Sequence, residues 1–418
     1  MALEWEANGD IFKLDVTTFS STRLTEEIER LSAELLAGEG PDIFSISASH
    51  NPRLLAASGF LTDFYTLIDQ DPFVLREDFF TNVLDAFTFD GGLYIFPLRF
   101  AFRFAGINMG LPEWLIERFA AHSTISESEL LAIYADLRYL YGDEFGQLAM
   151  VTGFAMMQPI NIASRAIGAH IDLNSRMASL TDDSFVSFLR NMTRALGNAP
   201  RGTGYMNTPF LTTPESMRYF SGRYTFFSVD DGFNALSSLF EAYPDYRFFG
   251  HHTPITDDRG RLLLNFYSND IWPSQLMAVS SLGNQALSWE YMQHLIQAMA
   301  NPDYPHDSYP FSLPIKRALV QETLDNLFAQ ARGFAPGLLR GLMGPSLHRD
   351  DAWHERFSTQ VQIATERLLI YSEMPIAPFP IIPESLFEMS IEQMFLGNIS
   401  AEDAAQQIHS GVSSWLME

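Results

Sequence analysis

The sequence predicts an α/β protein built from more than one folding unit, and three observations carry that prediction. Short apolar strands alternate with amphipathic helices over the early part of the chain, an order and spacing that imply a parallel sheet covered by helices. The chain is 418 residues long, which at roughly 150 residues per domain leaves room for two or three domains and a sizeable buried core. Its 47% hydrophobic and 18% charged residues belong neither to a disordered chain nor to a membrane-embedded one.

The first strand is read over Ile11–Phe19, where β-branched and aromatic residues partly alternate. Leu24, Ile28, Leu31 and Leu35 then recur at steps of three and four, so residues 22–36 predict an amphipathic helix. Gly38 and Gly40 end it, and Pro41–Ile46 is a second short apolar strand. A helix over Pro52–Ser58 stops at Gly59, and residues 60–64 lead into another. Gly91-Gly92 is a turn, residues 93–97 a strand interrupted by proline, and Phe100–Phe104 an aromatic run that continues to Asn108. Helical spacing returns at 130–141 and at 183–196. Residues 222–229 read as a strand, followed by Asp230-Asp231-Gly232 and a helix through Phe240; residues 254–260 read as a polar turn and 262–266 as a further strand. Ala286–Ala300 is a strongly patterned helix, and Ser400 with Asp403 forms a capping box ahead of a helix over 404–416.

Charge narrows the partners. The 26 Lys+Arg against 51 Asp+Glu leave a formal charge of -25, and that field repels a phosphate backbone, which argues against nucleic acid. Only Lys13 and Lys316 are lysines; every other basic residue is arginine. Cysteine is absent, which removes disulfides, thiolate metal sites and thiol nucleophiles. No apolar run approaches the ~18 residues that span a bilayer. Met1–Asp10 carries Glu4, Glu6 and Asp10 where a secretory leader carries a basic and then an apolar region.

Catalytic signatures are scarce. The sequence has no Gly-rich dinucleotide or phosphate loop, no His-Glu-x-x-His and no nucleophile elbow. His251-His252 followed by Asp257-Asp258 is the nearest approach to a metal cluster, but adjacent histidines on an extended chain point apart, so a solvated polar loop is the preferred reading and no metal or other cofactor is expected. Asp182-Asp183 reads as a helix N-terminus. Asp230-Asp231 reads as a cap between strand and helix, at a place where open α/β sheets also put ligands.

Five blocks in order resemble the extracellular solute-binding proteins of ABC importers, in the carbohydrate-binding branch that includes maltose-binding protein. They are Ala37–Phe44 with Ala57–Phe64; Gly92–Pro97 with Asn108; Gly222–Phe227; Ala278–Ser281 with Asn284–Tyr291; and Ile399–Ala405 through Leu416–Glu418. The resemblance implies the two-lobe, type II periplasmic-binding-protein fold, with an interlobe hinge and C-terminal helices. Lobe one would comprise 1–99 and 254–313, lobe two 104–250, and residues 314–418 a C-terminal helical segment packing on the lobes. The first crossing would lie at Pro97 and a later one over 253–267. The activity implied is reversible binding of a sugar, oligosaccharide or similar polar solute without chemistry, outside the cytoplasm, in partnership with the transmembrane subunits of a permease. Membrane association would come only through a lipid anchor absent from this chain.

The same resemblance assigns the solute to loops rich in planar polar groups and aromatics. These carry Ser49 and His50 after the second strand, Arg99, Phe100 and Arg103 at the crossing, and Gln158 with Asn161 on a lobe-two loop. Asp230, Asp231 and Phe233 follow the 222–229 strand, and Tyr267 and Trp272 precede the Ala278 strand. Each has a plainer reading. Phe100, Phe102 and Phe104 alternate as core residues do, Arg99 and Arg103 have abundant carboxylates to pair with, and His50 suits helix capping as well as ligand contact; Trp289 reads as packing. The family begins with a strand and a helix before the one that Ile11–Phe19 resembles, so this chain is expected to lack that first strand and helix of lobe one. The block that opens lobe two is eroded to Ser123–Glu127. A glycan-processing enzyme using Asp230 or Asp231, and a sensor presenting solute to a membrane receptor, are the competing functions.

Overall fold

Apolar spacing sets the helices. In the helix Asp183–Leu196, the side chains Phe185, Val186, Phe188, Leu189, Met192 and Ala195 form one buried face. In the computed structural model the described residues are 2–7, 10–15, 24–46, 50–100, 102–108, 113–133, 135–136, 139, 159–196, 227–231, 249–264, 276–298, 313–323, 325, 366, 369–379 and 381–417.

The strands are β1 (Ala2–Ala7), β2 (Asp10–Asp15), β3 (Ile43–Ser45), β4 (Phe96–Pro97), β5 (Arg99–Phe100), β6 (Arg103–Asn108), β7 (Ile125–Ser126), β8 (Ile171–Asp172), β9 (Met177–Ala178), β10 (Phe227–Asp231), β11 (Phe249–Thr256), β12 (Leu276–Val279) and β13 (Leu313–Pro314). The helices are α1 (Leu24–Leu36), α2 (Pro52–Ala57), α3 (Phe64–Gln70), α4 (Thr81–Asp85), α5 (Glu113–Ala120), α6 (127–133), α7 (Pro159–Ala169), α8 (Asp183–Leu196), α9 (Gln285–Ala298), α10 (Glu388–Phe395) and α11 (Ala401–Met417). Among the described residues no helix is long and apolar enough to cross a membrane.

Two sheets organise the chain. One has the order β3-β12-β4 and the other β10-β6-β11-β7. Each lies over its own core: the first gathers residues such as Phe44, Phe64, Phe79, Phe96, Trp289 and Ile315, the second residues such as Leu115, Phe119, Ile162, Phe185, Ile408 and Trp415. Helices α10 and α11 belong to the second core.

The structure corrects several expectations. The strand-helix alternation predicted parallel neighbours, but β12 lies between β3 and β4 and pairs antiparallel with both. The two early strands therefore run in the same direction without touching, because a strand from more than 170 positions later takes the place between them. Residues 2–7, expected to be poor in strand, form β1, which pairs in register with β2 from Ala2↔Asp15 to Ala7↔Asp10 and with no other strand among the described residues. Residues 249–256 form one strand through Pro254, so His251-His252 lies in β11 and not in a polar loop. The turn begins at Asp257, and the strand expected over 262–266 is reduced, in its described part, to isolated bridges at Leu262 and Leu264. Asp230 and Asp231 lie within β10, opposite Phe104 and Arg103, and not in a loop.

Local signals at helix ends are met. Gly59 takes φ +76° after α2, a conformation that a side chain resists. Ser400 Oγ accepts the Asp403 backbone N–H at 3.1 Å, while Asp403 Oδ2 accepts the Ser400 backbone N–H at 3.2 Å. Ser400→Ala is expected to lower stability by about 1 kcal/mol, read from the midpoint of urea unfolding; no change in midpoint would refute the cap's contribution.

Candidate functional site

Among the described residues, three short extended passages carry side chains of both cores, and the changeover within each is abrupt. Phe102 belongs to the first core and Ala105 to the second, Leu262 to the first and Leu263 to the second, Ile376 to the first and Ala377 to the second. The three passages are hydrogen-bonded to one another. Arg103 N–H donates to Leu263 O at 3.1 Å, Leu262 N–H to Pro375 O at 2.8 Å, and Ala377 N–H to Leu262 O at 2.9 Å. Short extended segments tied together at one place allow two lobes to rotate about that place while each core stays packed. The passage at 376–377 has no signature in the sequence, because its strand character is a single bridge, Leu262↔Ile376.

Buried charge braces this boundary. Glu127, the last residue of the eroded block, is 6% exposed, and Arg103 is 4% exposed. Its Oε1 accepts from Arg103 Nη1 at 2.9 Å and from Arg165 Nε and Nη2 at 3.1 and 2.7 Å. Burial by itself pushes the Glu127 carboxyl up, but the guanidinium groups of Arg165 and Arg103 outweigh it and hold the group below the usual range. Arg99 is 5% exposed, and burial brings its guanidinium down to about 10. At the second passage Asp257, also buried, accepts the backbone N–H groups of Arg259 and Arg261, both at 2.9 Å, and Arg261 Nε at 2.7 Å, which closes the turn tightly.

The expected site residues separate on this frame. Phe100 has no exposed surface and packs edge-on against Phe80 and Phe102, with ring centroids at 5.1 and 5.5 Å, so it is core. The alternation of the aromatic run is a packing pattern here. Arg103 is committed to Glu127, the carboxylate-pairing reading. His50 is half-buried in the turn before α2, on the loop that leaves β3, and the helix's N-cap position falls on Asn51 instead. Asn161 lies in α7 and Asp230 and Asp231 in β10. Ser49, Gln158, Phe233, Tyr267 and Trp272 lie outside the described residues. The register sets Asp231 directly opposite Arg103, so two of the expected positions meet at the edge of the first passage. Among the described residues no group of three His, Asp or Glu side chains is arranged to hold a metal ion.

No protein-family model matches the sequence, and no curated protein matches it. Solved structures do match. A periplasmic-binding protein of Synechococcus sp. MITs9220, crystallised with zinc, aligns at 14% identity over 93% of this chain and 88% of its own, with a TM-score of 0.53. The sugar-binding protein MalE of Xanthomonas citri aligns at 15% identity over 96% of this chain and 90% of its own, also with a TM-score of 0.53. With two cores, three tied passages and alignment over nearly the whole of both chains, the protein has the two-lobe fold of the periplasmic-binding proteins.

Proposed function

We propose that this chain is the solute-binding component of an ABC importer, taking a sugar, oligosaccharide or similar polar solute reversibly between its lobes. The observation that carries the reading is the set of three hydrogen-bonded passages at one boundary, a construction suited to closing on a ligand and opening again. The similar proteins from Synechococcus and Xanthomonas, described as periplasmic-binding and sugar-binding, support it. The proposed contacts are Ser49, His50, Gln158, Asn161, Asp230, Asp231, Phe233, Tyr267 and Trp272. Arg99 and Arg103 act in this reading as buried supports. The permease partner, the position outside the cytoplasm and attachment through a lipid anchor belong to the same proposal.

The test is a thermal-shift screen against mono- and oligosaccharides, with the same mixtures analysed for product. A ligand at a hundred times its Kd stabilises by about 2.7 kcal/mol, a shift of several degrees. Stabilisation without product is the expected result, weakened in Trp272→Ala. Turnover that disappears in Asp231→Asn would establish the enzyme reading instead.

A further inference from the structure

Among the described residues, three other than glycine have φ in the left-handed region: Asn51 at 47°, Asp90 at 47° and Arg176 at 55°. Asn and Asp visit that region more readily than other side chains, whereas arginine needs its surroundings to hold it there. All three meet around one side chain, Arg53 of α2. Arg53 is 4% exposed. Its Nε donates to Asp90 Oδ2 at 3.0 Å, its Nη1 to Trp415 O at 2.9 Å and its Nη2 to Leu416 O at 2.8 Å, and its guanidinium stands 5.1 Å from the centre of the Trp415 ring.

These partners come from opposite lobes. Arg53, Asn51 and Asp90 flank residues of the first core, whereas Trp415 and Leu416 form the last turn of α11 in the second. Two more contacts cross the same line: Trp415 Nε1 donates to Asn51 Oδ1 at 3.4 Å, and Arg176 Nη2, in the turn between β8 and β9, lies 3.9 Å from Asp90 Oδ1. Leu173 of that turn packs against both cores.

The physics makes the arrangement cooperative. The last carbonyls of a helix lack partners within it and carry the negative end of its dipole, so a guanidinium is a good cap. A buried guanidinium in turn needs acceptors. Here one lobe supplies a carboxylate and the other supplies two carbonyls, so parting the lobes at this line strips Arg53 of two acceptors and uncaps α11 in the same movement. We infer that Arg53, with Asn51, Asp90 and Arg176, is an interlobe latch that grips the end of α11 and sets how readily the lobes separate. The latch rests on the fold alone; its consequence for solute rests on the proposed function, because Asn51 directly follows His50.

The chain contains no cysteine, so nitroxide labels placed through Thr66→Cys on α3 and Ser187→Cys on α8, both exposed, report the distance between the lobes by pulsed electron resonance without any solute. The labelled parent should show one dominant separation, and Arg53→Met should add a longer-distance population. An unchanged distribution in folded Arg53→Met overturns the latch. If that variant does not fold, Asp90→Asn combined with Arg176→Gln carries the test: a shift toward longer distances supports the latch, and a distribution identical to the parent's overturns it. A failed sugar screen leaves this readout standing, so the two proposals fail separately.

Discussion

Glu127→Gln is expected to lower the melting temperature by on the order of 10 °C. The substitution keeps the shape of the side chain and removes its charge, leaving Arg103 and Arg165 beside a neutral amide where both had shared one carboxylate oxygen. Breaking a buried ion pair by removing one partner costs roughly 3–5 kcal/mol, far more than an exposed pair is worth, because the remaining charge stays buried. In a lobe of this size each kcal/mol moves the midpoint by roughly 2–4 °C. The triple variant Arg103→Met, Glu127→Leu, Arg165→Met should recover much of the loss, since apolar residues of similar volume replace such a cluster at little cost. A Glu127→Gln midpoint within a degree of the parent would show that the cluster contributes nothing net. The same cluster sets a pH dependence. The Glu127 carboxyl lies below its ordinary value of 4.5 in the folded chain, so the unfolded chain binds its proton first. Its contribution is therefore complete above about pH 4.5 and disappears as pH falls through the lower, folded value. The difference in midpoint between parent and variant should shrink over that window.

Phe96→Ala should destabilise the first lobe by roughly 3–5 kcal/mol. Phe96 has no exposed surface and stands at the centre of an aromatic cluster, with ring centroids 5.0 Å from Phe64, 5.6 Å from Phe79 and 6.2 Å from Trp289. Its backbone pairs with Met277 of β12, so the ring cannot be replaced by a shift of its own strand without breaking the sheet. The neighbouring rings are themselves pinned: Trp289 Nε1 donates to Asp71 Oδ2 at 2.8 Å. A cavity bounded by held rings collapses poorly, which places the cost in the upper part of the range for such truncations. Calorimetry should resolve a lower-temperature transition for this lobe. A loss below about 1 kcal/mol would mean that the cluster repacks freely.

Much of the fold was legible because its signals are local. The apolar face of α8, the Gly59 stop after α2 and the Ser400–Asp403 cap each depend on residues a few positions apart, and the structure has them where the spacing puts them. The site was less legible. Phe100 looked like a ligand platform because aromatic alternation has the same pattern on a core strand and in a binding cleft, and only burial separates the two. Glu127 stood in the sequence as a worn remnant of a motif, and nothing nearby announced the two arginines that close on it from 24 positions before and 38 after. Arg53 carried no signal at all, since its carbonyl acceptors lie 362 and 363 positions away.

The sequence by itself determined the alternation of strands and helices and the helix ends, since each follows from neighbouring residues. The tertiary structure alone decided that β12 separates β3 from β4, that the segments at 102–105, 262–263 and 376–377 each serve both cores, and which charges are buried together. Those outcomes depend on which distant segments reach the same place, and a backbone hydrogen bond or an ion pair leaves no periodicity in the sequence to mark its remote partner.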